Sequence, residues 1–89
     1  MSESSYARVE TLLADVNKDG PSLRVADELC RMGRYVRDGG LMHREAIDWC
    51  TRQLHFWPEA VVTVQLQTAG AVGMELVLKI GSEAAVLLY

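Results

Sequence analysis

Asp15-Val16-Asn17-Lys18-Asp19-Gly20 is the segment of this 89-residue chain whose residue types and spacing come nearest to a chemistry. Oxygen-bearing side chains at the first, third and fifth positions, with glycine at the sixth, are what the first half of a calcium loop requires. The oxygens ligate the ion and the glycine permits the sharp turn. The second half departs from that pattern. The twelfth position, where a bidentate carboxylate would stand, is Ala26, and the ninth is Leu23. Asp15, Asn17 and Asp19 are therefore weak metal candidates, a half-site at most. The same residues suit a helix stop and turn, because Asp, Asn and Gly tolerate turn backbone and bond to it. That plainer reading is the expected one.

The segment also resembles the start of a dockerin repeat, and Asp27 followed by Arg34-Tyr35-Val36 extends the likeness. The resemblance implies calcium ligation, but a dockerin carries two such segments and this chain carries one. Cys30, His43, Cys50 and His55 are four further potential ligands, with no pair at the close spacing of a zinc knuckle. Both cysteines fall on apolar stripes, where a free thiol acts as a small hydrophobe; a redox-switched disulfide is the alternative. Cys50 and His55 are five apart on one helix and diverge by about 140°, too far to act as nucleophile and base. Gly70-Ala71-Val72-Gly73 lies between strands and lacks the helix N-terminus that holds a phosphate. The expectation is a protein that is not an enzyme and needs no cofactor.

The elements that position these residues follow from hydrophobic period. Tyr6, Val9, Leu12, Leu13 and Val16 recur at three- and four-residue steps, predicting a helix over 5–17. Asn17, Asp19, Gly20 and Pro21 break it, and Ser22 can cap a second helix running to 38, with Ala26, Leu29, Cys30, Gly33 and Val36 along one face. Gly39-Gly40 ends that helix, and a third spans 41–54 through Met42, Ala46, Ile47, Trp49, Cys50 and Leu54. A two-glycine link folds helices two and three into an antiparallel hairpin, in which facing residue numbers have a constant sum; this places Cys30 beside Cys50. After Pro58 the period changes to two. Val62, Val64 and Leu66 alternate with Thr63, Gln65 and Gln67, then Met74 to Ile80 and Ala84 to Tyr89 supply two more strands. The predicted class is α+β: three N-terminal helices packed on a C-terminal three-stranded antiparallel β-meander. One domain over 1–89 is expected, with 1–4 disordered, 5–57 helical and 60–89 β.

Composition narrows the partners. The formal net charge is −3, the wrong sign for a phosphate backbone. The six arginines between 21 and 57 stand among Asp27, Glu28, Asp38, Glu45 and Asp48. Asp27–Arg31 and Arg34–Asp38 sit four apart, so each pair can meet on a helix surface. No apolar run reaches the ~18–20 residues of a membrane span, and Met1-Ser2-Glu3-Ser4-Ser5 is not a secretory start. A soluble, cytoplasmic protein is expected, contacting neither nucleic acid nor membrane.

Partner contact is expected at two places. His55-Phe56-Trp57-Pro58 concentrates aromatics at the helix-to-sheet junction, either as a packed corner or as an anchor of the kind that dominates interfaces. The last strand is apolar on both faces, and a single helical layer covers only one. The expected contact residues are thus Phe56, Trp57, Val72, Val86, Leu87, Leu88 and Tyr89. The function expected is a non-catalytic protein–protein interaction or assembly subunit, homodimeric or completing its sheet with a partner, akin to small acidic accessory or chaperone-like proteins. The order of elements is also similar to a winged-helix DNA-binding regulator, although the third helix carries Glu45 and Asp48.

Overall fold

A computed structural model describes residues 5–39, 43–70 and 73–88. It has the expected α+β architecture. Helices α1 (Ser5–Val16), α2 (Ser22–Arg37) and α3 (His43–Gln53) precede strands β1 (Val62–Thr68), β2 (Met74–Ile80) and β3 (Glu83–Val86). The strands form an antiparallel sheet in the order β1-β2-β3. The ion pairs expected on α2 form, Arg31 to Asp27 at 3.1 Å and Arg34 to Asp38 at 3.4 Å, on solvated surface where such pairs are worth little.

Two boundaries differ from expectation. Ser22 is not a cap: α2 starts at Ser22 with Pro21 before it, and the Ser22 hydroxyl is buried without a hydrogen-bond partner. Proline's fixed φ suits a helix start, so the turn needs no side-chain cap. β3 stops at Val86, although the Leu87 N–H still donates to Leu76 O at 2.9 Å. The end of α2 is as expected, with Gly39 at φ 79°, a left-handed conformation costly for other residues. Leu41 and Met42 lie outside the described residues.

The core lies between the helices and one face of the sheet. Leu13, Leu29, Leu76, Leu78 and Leu87 are its largest fully buried side chains, with Cys30 and Cys50 among them. Inward residues of the strands are Val62 and Val64, then Leu76, Leu78 and Ile80, then Ala85 and Leu87. The outer face is largely polar, with Thr63, Gln65, Gln67 and Lys79 exposed. Val77 is nonetheless buried on that face, between its cross-strand partners Gln65 and Val86.

Gly33 holds the two layers together. A Cβ built there would overlap the Leu87 carbonyl oxygen and come within 2.6 Å of its carbon and 2.8 Å of the Leu87 Cβ. The backbone of α2 therefore lies directly on the chain that follows β3, and only glycine fits.

α2 packs on β2, with α1 over β3 and α3 over β1.

Gly33→Ala tests the backbone contact by its sign. In an exposed helix the change would stabilise by up to ~1 kcal/mol. Here it is expected to destabilise by at least ~3 kcal/mol, lowering Tm by more than ~10 °C in calorimetry. A raised Tm would show that Leu87 does not sit on α2.

Candidate functional site

The half calcium loop and the aromatic segment, read separately in the sequence, form one joint. The Asn17 side-chain amide donates to Phe56 O at 2.9 Å, and its oxygen accepts from the Asp19 N–H at 3.1 Å. The Trp57 indole N–H donates to Leu13 O at 2.9 Å in the last turn of α1, a carbonyl it shares with the Asn17 N–H at 3.1 Å. Gly20 makes room for the ring: a Cβ there would lie 2.8 Å from Trp57 Cζ2. Asp15 and Asp19 are exposed, and the one candidate oxygen held in place, that of Asn17, is engaged by the chain itself. Among the described residues no three His, Cys, Asp or Glu side chains gather where they could hold a metal ion.

Trp57 is only 4% exposed and Leu87 1%, so both belong to the core. They are not free to contact a partner, which corrects two of the seven expected contact residues. Trp57 is buried because its indole N–H finds a helix carbonyl, and Leu87 because strand alternation turns it toward α2. Phe56 is 45% exposed, its ring 4.1 Å from that of His55 and edge-on to Trp57 at 6.2 Å. Val86 and Leu88 are half-buried. Val72 and Tyr89 lie outside the described residues.

The thiols are both free and buried. Burial pushes Cys30 up from its ordinary 9.0 to about 11, against a downward pull from the Leu88 backbone N–H at its sulfur, with Asp27 adding a small upward push. Burial pushes Cys50 up to about 12, helped by the neighbouring Cys30 across the α2–α3 hairpin. Thiols so protonated are poor nucleophiles and poor metal ligands.

The sheet has two edges, and the chain treats them differently. In an antiparallel ladder each residue directs both backbone groups to one side, alternating along the strand. Because Leu76 O accepts from Leu87, even-numbered residues of β2 face β3 and odd-numbered ones face β1. The Ala69 N–H donates to Gly73 O at 2.7 Å, which gives the same phase in the first hairpin. Ala84 thus faces the outer side of β3. Arg8 of α1 reaches it there, donating to Ala84 O at 3.4 Å and pairing with Glu83 at 2.8 Å. Farther along, the Leu88 N–H points at Cys30 and Leu87 lies on Gly33.

The β1 edge is different. By the same alternation, Val62, Val64, Leu66 and Thr68 direct their backbone groups away from β2, and the Val62 N–H is taken by Pro58 O at 3.0 Å. The strand is seven residues long and has no charge, proline or glycine, the devices that usually guard an edge. At its start a groove of about 510 Å³ opens under the last turn of α3, backed by Leu54, Trp57 and Val62 and bordered by Thr51, His55 and Glu59. Sequence reasoning chose β3 as the open edge because β3 is apolar. Its covering by Arg8, 75 residues away, carries no local signal.

On α3 the exposed charges are of both signs, Arg44 and Arg52 with Glu45 and Asp48. Among the described residues no helix is long and apolar enough to cross a membrane. Compared with models of protein families, with curated proteins and with solved structures, the chain matches none.

Two measurements check this site. Asn17→Ala is expected to cost ~1–2 kcal/mol by leaving Phe56 O and the Asp19 N–H unpaired, while Asp15→Ala with Asp19→Ala leaves Tm nearly unchanged with or without calcium; a calcium loop would reverse that ranking. The thiols ionise near 9.0 when exposed and near 11 and 12 when folded, so the folded state holds more protons between pH 9 and 12. Their contribution is intact below pH ~9 and is lost as pH rises. Urea midpoints should fall between pH 8 and 10.5, and fall less for Cys50→Ala; equal slopes would contradict the buried thiol.

Proposed function

We propose that this chain is a non-catalytic protein-interaction module, an accessory or chaperone-like subunit that completes its sheet with a strand from another protein. The open edge of β1 carries this reading. Within this uncharged seven-residue strand Val64, Leu66 and Thr68 direct backbone donors and acceptors away from the sheet, while the β3 edge is held by Arg8 and by the contacts of α2. Strand addition uses such an edge, with main-chain bonds giving affinity and side-chain pockets giving selectivity.

The burial pattern supports it. Among the described residues both thiols are buried with raised pKa, Asn17 is bonded to the chain itself and no three side chains gather that could hold a metal ion. The outward backbone groups of Val64 and Leu66 and the groove beside the start of β1 are the features this reading uses.

Selection from a random dodecapeptide library on the immobilised chain, with Leu66→Pro as counter-target, tests this. Proline at Leu66 removes an N–H that faces the open edge, so the ladder to β2 is retained. Enriched peptides that bind the parent and fail on the variant, both melting cooperatively, are expected. No enrichment, or equal binding to both, would overturn the reading.

A further inference from the structure

We infer that the cavity between α1 and the start of α2 binds a small tetrahedral oxyanion, phosphate or the head of a phosphomonoester. The groups that hold it are the first unpaired amides of α2, the Ser22 hydroxyl and the Lys18 ammonium. The cavity has a volume of about 440 Å³ and is lined by Glu10 of α1, by Lys18 in the turn and by the first three residues of α2, Ser22, Leu23 and Arg24. It shares no residue with the β1 strand or with the groove beside it.

The first amides of a helix have no carbonyl partner within it. In α2 the Ser22 N–H donates to Gly20 O at 2.9 Å and the Val25 N–H to Pro21 O at 3.0 Å, whereas the Leu23 and Arg24 amides meet no acceptor among the described residues. A side-chain oxygen just before the helix ordinarily satisfies those two amides; Pro21 stands there and makes no such bond. Ser22 is the group that points to a ligand. The residue is 6% exposed, and its hydroxyl is buried with no hydrogen-bond partner, although buried polar groups are nearly always paired. The Cα–Cβ bond of a helical residue leans toward the helix N-terminus, so the Ser22 side chain leans toward the end where the two amides are unpaired. A hydroxyl and two amides at one helix end, without a protein acceptor among the described residues, are the complement of an oxyanion.

Charge favours the same ligand. The positive end of a helix dipole attracts acids, yet the first turn of α2 holds none and carries Arg24 instead, paired with Glu28 at 3.2 Å. Lys18 is exposed and forms no ion pair among the described residues. Glu10 is the single acid lining the cavity, against Lys18, Arg24 and the helix terminus, so the local balance is positive in a chain whose net charge is −3. Two amides, a hydroxyl and an ammonium around one cavity suit a group that presents three oxygens, as a phosphoryl group does, better than a planar carboxylate with two.

Inorganic phosphate and phenyl phosphate are titrated separately into the ¹⁵N-labelled full chain at constant ionic strength in chloride, with acetate as the control anion. Saturable shifts of the Leu23 and Arg24 amides are expected, with Kd on the order of 1 mM for the phosphates and about tenfold or more weaker for acetate. The tighter of the two phosphates names the source, free anion or ester, and either supports the site. Ser22→Ala removes a hydroxyl that bonds to nothing, so Tm without phosphate should be unchanged or higher, while phosphate affinity falls about fivefold or more. Lys18→Gln lowers the affinity as well, and Glu10→Gln raises it. No saturable shift at either amide, or the same affinity in Ser22→Ala as in the parent, would overturn the site. A Ser22→Ala chain that melts lower without phosphate would show that the hydroxyl serves the fold, and would overturn it too. Equal binding of acetate would overturn the assignment to a phosphoryl group.

Discussion

The contact of Gly33 with Leu87 is the constraint on which the rest of the structure depends. Helix backbone and the backbone that follows β3 meet there with no side chain between them. The close approach draws the end of the chain under α2, buries Leu87 among the largest core residues and brings the Leu88 amide to the Cys30 sulfur. A small domain has little buried surface to spare, and here a glycine in mid-helix supplies what a bulkier residue would prevent. Its cost in helix propensity is offset by the packing it allows.

Fixing the end of the chain decides which edge of the sheet is left open. α1 packs over β3, and its Arg8 takes the outward Ala84 carbonyl. At the opposite side α3 packs over β1, and a groove backed by Leu54, Trp57 and Val62 opens at the start of that strand. Helix side chains thus guard one edge of the sheet, and among the described residues no such contact is made at the other. On the proposed reading, recognition follows from that asymmetry more than from any reactive group.

The architecture was legible in the sequence wherever hydrophobic period was strong: the stripe from Tyr6 to Val16, the face from Ala26 to Val36, and the alternation from Val62 to Gln67. Cys30 and Cys50 could be placed as neighbours because a short link between helices fixes their pairing. The site was much less legible. Asn17 and Trp57 carry separate local signals, a metal half-loop and an interface aromatic, and only the fold shows that each ties its own segment to the other, Asn17 through Phe56 O and Trp57 through Leu13 O. Leu87 looked like surplus apolar surface because strand alternation does not reveal that a glycine of another element is waiting for its backbone. The open edge of β1 was hidden for a similar reason. Its outward residues are ordinary threonine and glutamine, and its exposure depends on where α3 stops and how far it stands from β2.

Amide hydrogen exchange resolved by residue tests the central claim most directly, comparing the two edges in the isolated chain at neutral pH. Leu88 and Gln65, held by Cys30 and by β2, should be protected by ~10³-fold or more, while Val64 and Leu66 exchange within about tenfold of an unstructured chain. Slow exchange at Val64 and Leu66 together with fast exchange at Ala84 and Leu88 would show that β3 is the free edge, and would contradict the account.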